Sequence, residues 1–330
     1  MKTLVSGADG LLGSNLVRRL LERDFDVRVL IHPLSASKTL DGLPIERRMG
    51  DILDISFVEE AVKGCEVVFH AAASTAFWPP RDPKIVAVNL EGTHNMLKAA
   101  VRYGVRRFIH VGSASSFGYG TKEQPGTEET PYCYQNLKLA YFESKLKAQE
   151  LVLRHVKEGK MEAVVVSPTF MFGPYDSGPS SGRIIVKFVQ LKPSFYPPGG
   201  RCFIHARDVA DGMILALEKG RSGECYILGN RNMEMRELLE ILSRIVGIKA
   251  PHIKVPAPLV VFAGRIGSMV ASVTGKPVDL TYEIAKNSCE GTYYSAAKAV
   301  RELGLPQTPI ENALEEAYRW LRDNGKIRLK

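Results

Sequence analysis

Cysteine is scarce in this chain and poorly placed for chemistry. The five, Cys65, Cys133, Cys202, Cys225 and Cys289, are odd in number, far apart and never at metal-ligand spacing. This excludes a disulfide scaffold and a structural zinc site, and the sequence predicts no metal and a reducing compartment. Also missing is an unbroken apolar run of eighteen residues, because the longest candidate, 255–273, is interrupted by Pro256, Pro258 and Arg265. No transmembrane segment is expected there; a buried helix is the first reading, and peripheral membrane contact the second. The first strand pattern starts at residue 2, which leaves no room for a leader, so a cytoplasmic protein is expected. The excess of 44 Lys and Arg over 36 Asp and Glu is dispersed and forms no stripe, which argues against nucleic-acid binding. The basic cluster at 326–330 reads as a solvated tail. Hydrophobic residues at 45% of 330 are enough for one large core or two modest ones.

What is present begins at the first residues. A short apolar strand runs into Gly7-Ala8-Asp9-Gly10-Leu11-Leu12-Gly13, three glycines spaced by three at the mouth of a helix. Gly7 permits a sharp turn, Gly10 lets backbone approach a pyrophosphate, and Gly13 lets helix and strand pack closely. The helix start offers free N–H groups to an anion. Apolar runs at 3–5, 27–31, 67–69, 108–111 and 163–166 read as buried parallel strands. Amphipathic stretches at 11–23, 84–103 and 137–156 read as the helices between them. The expected fold is therefore α/β, a Rossmann-type doubly wound parallel sheet with a smaller, mostly helical C-terminal substrate domain. Residues 1–168 form the dinucleotide-binding part, with 202–228 returning to it. Residues 169–201 and 229–330 form the substrate-binding region, where helices are expected at 233–245, 258–273 and 310–324.

Two tyrosine–lysine pairs compete for the chemistry: Tyr134/Lys138 and Tyr141/Lys145, both four residues apart. A nearby ammonium lowers the pKa of a phenol from ~10 and so makes proton transfer feasible near neutral pH. Tyr141 is preferred because Ser144-Lys145 leads into a continuous helix, whereas Tyr134 stands just past Pro131. The turn Gly112-Ser113-Ala114-Ser115-Ser116 follows a strand, and one of its serines can hold a substrate oxygen beside the tyrosine.

Together with Gly50-Asp51-Ile52, His70-Ala71-Ala72, Asn89-Leu90-Glu91-Gly92-Thr93 and Ser167-Pro168-Thr169, these motifs resemble the extended short-chain dehydrogenases/reductases along the full length. Segments 182–186, 226–229 and 295–299 narrow the resemblance to the dihydroflavonol reductase-like branch, which includes the so-called hopanoid-associated sugar epimerases. The resemblance implies that Tyr141 is the general acid/base, that Lys145 tunes it and holds the nicotinamide ribose, and that Ser113 binds the reacting oxygen. It implies adenine contacts at Asp51 and Ile52 and cofactor contacts at Ala71, Ala72 and Ala73. Ser167, Pro168 and Thr169 then lie by the nicotinamide. Asn89 is left between a structural and a direct role.

The second strand ends Leu30-Ile31-His32-Pro33 with no acid before Asp41, whereas His32, Ser35, Ser37 and Lys38 suit a 2′-phosphate. NADP(H) is favoured over NAD(H). Three functions are compared. The first is an oxidoreductase acting on a ketone or secondary alcohol, with Phe77, Trp78, Phe170, Phe172, Phe195 and Tyr196 as an apolar pocket beside Ser115. The second is a nucleotide-sugar epimerase or dehydratase that uses Arg201 on a diphosphate. The third is a non-catalytic nucleotide sensor. The first is preferred, with a small and apolar substrate and a homodimer as the assembly.

Overall fold

Residues that alternate between apolar runs and amphipathic stretches build the first half of the chain, and a computed structural model describes residues 1–276 and 278–327. Strand β1 (Lys2–Ser6) leads into helix α1 (Leu11–Leu21), then β2 (Asp26–Ile31), β3 (Glu46–Met49), α2 (Ile55–Val62) and β4 (Val67–His70). After α3 (Pro83–Val86) come α4 (Gly92–Arg102), β5 (Arg107–Val111), α5 (Ala140–Lys157) and β6 (Ala163–Pro168). Leu12, Leu16, Val17 and Leu20 of α1 are buried against the sheet, while Arg18 and Arg19 face outward. This is the amphipathic division that the sequence displays.

The remaining elements are β7 (Phe170–Phe172), α6 (Arg183–Leu191), β8 (Phe195–Tyr196), β9 (Gly200–His205), α7 (Ala206–Lys219) and β10 (Cys225–Leu228). Then follow β11 (Arg231–Glu234), α8 (Met235–Val246), β12 (Ile253–Lys254), α9 (Ala257–Thr274), α10 (Tyr282–Cys289), β13 (Gly291–Thr292), α11 (Ala297–Leu303) and α12 (Ile310–Asp323). Seven strands form one parallel sheet in the order β10-β6-β5-β4-β1-β2-β3. The fold is the doubly wound α/β architecture, and the strand order reverses between β1 and β4. A crevice opens at that point, above the carboxyl ends of the strands, where such sheets bind ligands.

Two features depart from the sequence reading. Strand β3, Glu-Arg-Arg-Met, is too polar to read as a strand because it is the edge of the sheet, where charge blocks further pairing. Of the returning segment 202–228, α7 and β10 belong to the large sheet, but β9 heads a second, small sheet with β7, β11 and β13. That small sheet packs with α6, α8 and α12 around Phe172, Phe188, Phe203, Leu238, Leu242 and Leu314. Ile327 is buried in this second core, so the expected solvated tail is anchored at least this far. Arg328, Leu329 and Lys330 lie outside the described residues.

Candidate active site

At the β1/β4 crevice the three glycines have three different surroundings. Gly7 adopts φ +65°, and a Cβ there would lie 2.7 Å from the Ala72 backbone. A Cβ on Gly13 would fall 2.1 Å from the Gly7 carbonyl oxygen, so helix and strand touch through it. Gly10 faces open space, its nearest neighbour being 3.6 Å away. Gly10 also caps α1 without any side-chain hydrogen bond, which leaves the amides of Leu11 and Leu12 without a capping side chain. An open glycine before uncapped amides fits a pyrophosphate. Across the crevice, Ala71 and Ala72 donate their amides to the Ser6 carbonyl (3.3 Å) and the Ser6 hydroxyl (3.2 Å), and Ala73 continues the same half-buried loop.

The outer end of the crevice is polar. Asp9 accepts a hydrogen bond from Ser35, and the Asp9 carbonyl accepts from Ser37 (3.2 Å), which folds the β2 loop over the glycine turn. His32 is exposed, with Nε2 3.7 Å from the Asp51 carboxylate, and Lys38 is exposed nearby in sequence. Ile52 is buried against Gly92, whose Cβ would sit 2.4 Å from the isoleucine Cδ1.

At the inner end, the two tyrosine–lysine pairs separate. Tyr134 precedes a 3-10 turn, its hydroxyl is 2.7 Å from that of Tyr294, and Lys138 is exposed in a left-handed conformation before the helix begins. Tyr141 is the second residue of α5. Burial raises its pKa, and Ser113 offsets part of that rise. Ser113, just beyond β5, is 2.7 Å from the Ser115 hydroxyl and accepts from the Ser115 amide at 3.2 Å. Lys145 is buried one turn further along α5 and donates to the Val111 carbonyl at 2.6 Å; burial brings its pKa down to about 8. The phenol is therefore modulated by Ser113, while the lysine, which the sequence reading had acting on the phenol, is held on the end of β5.

Beneath this pair runs a polar array that sequence reasoning mostly missed. Ser6 is 2.8 Å from His70 Nδ1, and His70 Nε2 is 3.0 Å from the Thr93 hydroxyl, which donates to the Asn89 carbonyl at 2.6 Å. Asn89 Nδ2 donates to the Ser144 hydroxyl (3.0 Å), and Ser144 donates to the Tyr141 carbonyl (3.0 Å). Asn89 sits in a π-helical turn, residues 87–91, that joins α3 to α4; the extra residue in such a turn re-aims side chains. The array links β1 to the second residue of α5. Burial and the Lys145 charge bring His70 down to about 3, so it stays neutral. The signal was available, since Ser6 and His70 are polar residues at the ends of apolar buried strands.

Ser167, at the end of β6, is fully buried and its hydroxyl has no partner. Pro168 follows in the strand, and Thr169 donates to the Leu228 carbonyl through both its amide (2.9 Å) and its hydroxyl (3.2 Å). The expected aromatic pocket is dispersed. Phe77 packs on Tyr141 with ring centroids 5.3 Å apart, and Trp78 is half-buried beside it in sequence. Phe172 and Tyr196 are core residues, Phe170 packs against Phe172 and Phe203, and Phe195 is exposed on β8. Phe170, Phe172 and Tyr196 follow the needs of the second core, which the sequence does not distinguish from a pocket. Arg201 holds the chain to itself: it donates to the carbonyls of Gly200, Glu290 and Asn287 and to the Thr292 hydroxyl, at 2.7 to 3.1 Å. Among the described residues no three His, Cys, Asp or Glu side chains gather as metal ligands.

Residues 3–229 match the model of the NAD dependent epimerase/dehydratase family. The chain belongs to this family. Within it, the chain is 33% identical over 329 residues to a protein of Synechocystis sp. named "Putative dihydroflavonol 4-reductase", covering 98% of this chain and 95% of the relative. It is 29% identical over 341 residues to Sterol demethylase protein B of Methylococcus capsulatus, covering 99% and 100%. The crystal structure of gox2253 superposes with a TM-score of 0.87 at 32% identity, covering 99% of each chain. Like other members of the epimerase/dehydratase family, the chain is an NAD(P)-dependent oxidoreductase of the extended short-chain dehydrogenase/reductase type.

Proposed function

We propose that this enzyme interconverts a ketone and a secondary alcohol on an apolar small molecule, with NADP(H) as the preferred cofactor. The observation that carries this reading is Tyr141 near the start of α5, with Ser113, at the carboxyl end of β5, acting on its phenol, and with buried Lys145 one turn further along the same helix. Ser113 and Tyr141 are two hydroxyls that converge on one substrate oxygen, and Tyr141 gives or takes the proton there. Ser115 orients the Ser113 hydroxyl. The nicotinamide, when bound, supplies or accepts the hydride at the substrate carbon. The glycine turn would hold its pyrophosphate, and Ser167, with its unpartnered hydroxyl, would lie at its nicotinamide end.

The names of the two relatives, a dihydroflavonol reductase and a sterol demethylase protein, favour a flat, lipid-like substrate. Arg201 argues in the same direction. Its guanidinium already meets four protein acceptors, so a sugar-nucleotide diphosphate would have to displace them. Support for NADP(H) comes from exposed His32 and Lys38, and from an Asp9 carboxylate already engaged by Ser35.

Thermal unfolding with added ligand tests the reading. A ligand at a hundred times its Kd adds about 2.7 kcal/mol to the folded state. NADPH is expected to raise Tm more than NADH at equal concentration, and UDP or dTDP added with the oxidised cofactor is expected to add nothing. A further rise with either nucleotide would overturn the ketone reading in favour of sugar-nucleotide chemistry.

A further inference from the structure

Helix α9 is the one helix among the described residues long and apolar enough to cross a bilayer, yet one of its faces is fixed to the protein. Gly264 and Gly267 bring it against α10: a Cβ on Gly264 would lie 2.4 Å from the Ala285 methyl group, and one on Gly267 2.0 Å from the Leu280 carbonyl oxygen. The opposite face carries Leu259, Phe262, Ile266, Met269, Val270 and Val273, spaced three or four apart, which places them in one stripe. All six are exposed, Phe262 by 61%, Met269 by 69% and Val273 by 82%. The helix is thus apolar on both faces, and burial inside the protein accounts for only one.

The stripe does not end with the helix. Exposed Ile253 on β12 pairs in register with exposed Phe195 on β8, and β12 runs directly into α9. Exposed apolar surface of this kind marks an interaction site. Its surroundings indicate the partner. From residue 241 to residue 278 the sequence contains no Asp or Glu, but it contains Arg244, Lys249, Lys254, Arg265 and Lys276, all exposed. The acids that bound this stretch are engaged elsewhere, Glu240 by Arg236 and Asp279 by Lys187, each at 2.8 Å. Arg265 flanks the stripe with its guanidinium 5.5 Å from the Tyr282 ring, where it can reach headgroups while the apolar side chains enter the acyl region.

We infer that α9, with β8 and β12, docks flat onto an anionic lipid surface. An apolar stripe on a helix whose one charged residue is Arg265, within a stretch of sequence that is basic and free of acids, has the composition of an in-plane membrane helix. A second copy of the chain is the poorer occupant: antiparallel pairing of two α9 helices would bring two Arg265 side chains near the centre, and α9 itself carries no carboxylate to offset them. The other face of α9 packs on α10, whose Asn287 carbonyl is held by Arg201, so docking sets the substrate-binding unit at the membrane.

Co-sedimentation of the full-length protein with phosphatidylglycerol/phosphatidylcholine vesicles tests the inference. The wild-type protein is expected to pellet with these vesicles, and to do so at least tenfold less with pure phosphatidylcholine or in high salt. Phe262→Asp/Met269→Asp is expected to lose at least tenfold in partitioning, and Lys254→Glu/Arg265→Glu to lose anionic selectivity, both with unchanged Tm. Absence of sedimentation, equal binding to both vesicle types, or unimpaired binding by the Phe262/Met269 variant would overturn it. So would a wild-type dimer that this variant converts to monomer without vesicle binding, since a second copy would then cover the face.

Discussion

Residues 134–138 and 141–145 carry the same Tyr-x-x-x-Lys spacing seven residues apart, and the structure treats them oppositely. The first tyrosine is packed among Tyr119, Tyr132 and Phe142, bonded to Tyr294, and its lysine points into solvent. The second is near the start of α5, its phenol acted on by Ser113, with its lysine buried against the end of β5. Spacing alone does not make a site. A pair becomes chemically useful when a regular helix holds both residues on one face and the ends of parallel strands bring polar partners to them.

The sharpest test of that contrast is Tyr141→Phe. Loss of the proton-transfer group is expected to lower kcat by about 10²–10⁴. NADPH should still raise Tm as in the wild type, because the glycine turn is untouched. Retained turnover with a ketone substrate would move the chemistry away from Tyr141.

Lys145 gives the next effect, and its sign follows from burial. Its ordinary pKa, near 10.4, falls to about 8 in the folded chain, so between those values the unfolded chain binds more protons. Stability therefore rises with pH across that window, by up to about 3 kcal/mol, as the buried ammonium is neutralised. Below pH 8 the full cost of burying the charge is present. Lys145→Met removes this rise, and chemical denaturation at pH 8 and at pH 10 measures it as the difference between variant and wild type. An equal slope in both proteins would place the titration elsewhere.

The legible parts of the molecule were those in which local pattern and global role coincide. The glycine turn, the five inner strands and helix α5 could be read because burial on both faces, turn chemistry and helical spacing all leave marks in the sequence. Three features escaped for one common reason, that their meaning depends on what lies across space. The edge strand β3 looks like a loop because it carries charge. The His70–Thr93–Asn89–Ser144 array draws on four separate elements. Helix α9 has the composition of a core helix, and only its position on the outside, with α10 covering one face, shows that the other face is exposed. Arg201 illustrates the reverse case: an arginine at a position suited to a ligand already meets the Asn287 and Glu290 carbonyls and the Thr292 hydroxyl, which α10, β13 and the residue between them bring to it.

The smallest expected effect falls on the unused tyrosine. Tyr134→Phe removes one buried hydroxyl and leaves the Tyr294 hydroxyl without its 2.7 Å partner. The cost is about 1–3 kcal/mol of stability, readable as a lowered denaturation midpoint, since the aromatic packing against Phe142 is retained. Turnover should change by less than about twofold, because less than ~0.4 kcal/mol of transition-state stabilisation is at stake. A loss of kcat comparable to that of Tyr141→Phe, with stability unchanged, would show that the two tyrosines act on one substrate and that the buried cluster around Tyr134 opens toward the site. A loss of stability alone shows that an identical motif has been used to build the wall beside the chemistry.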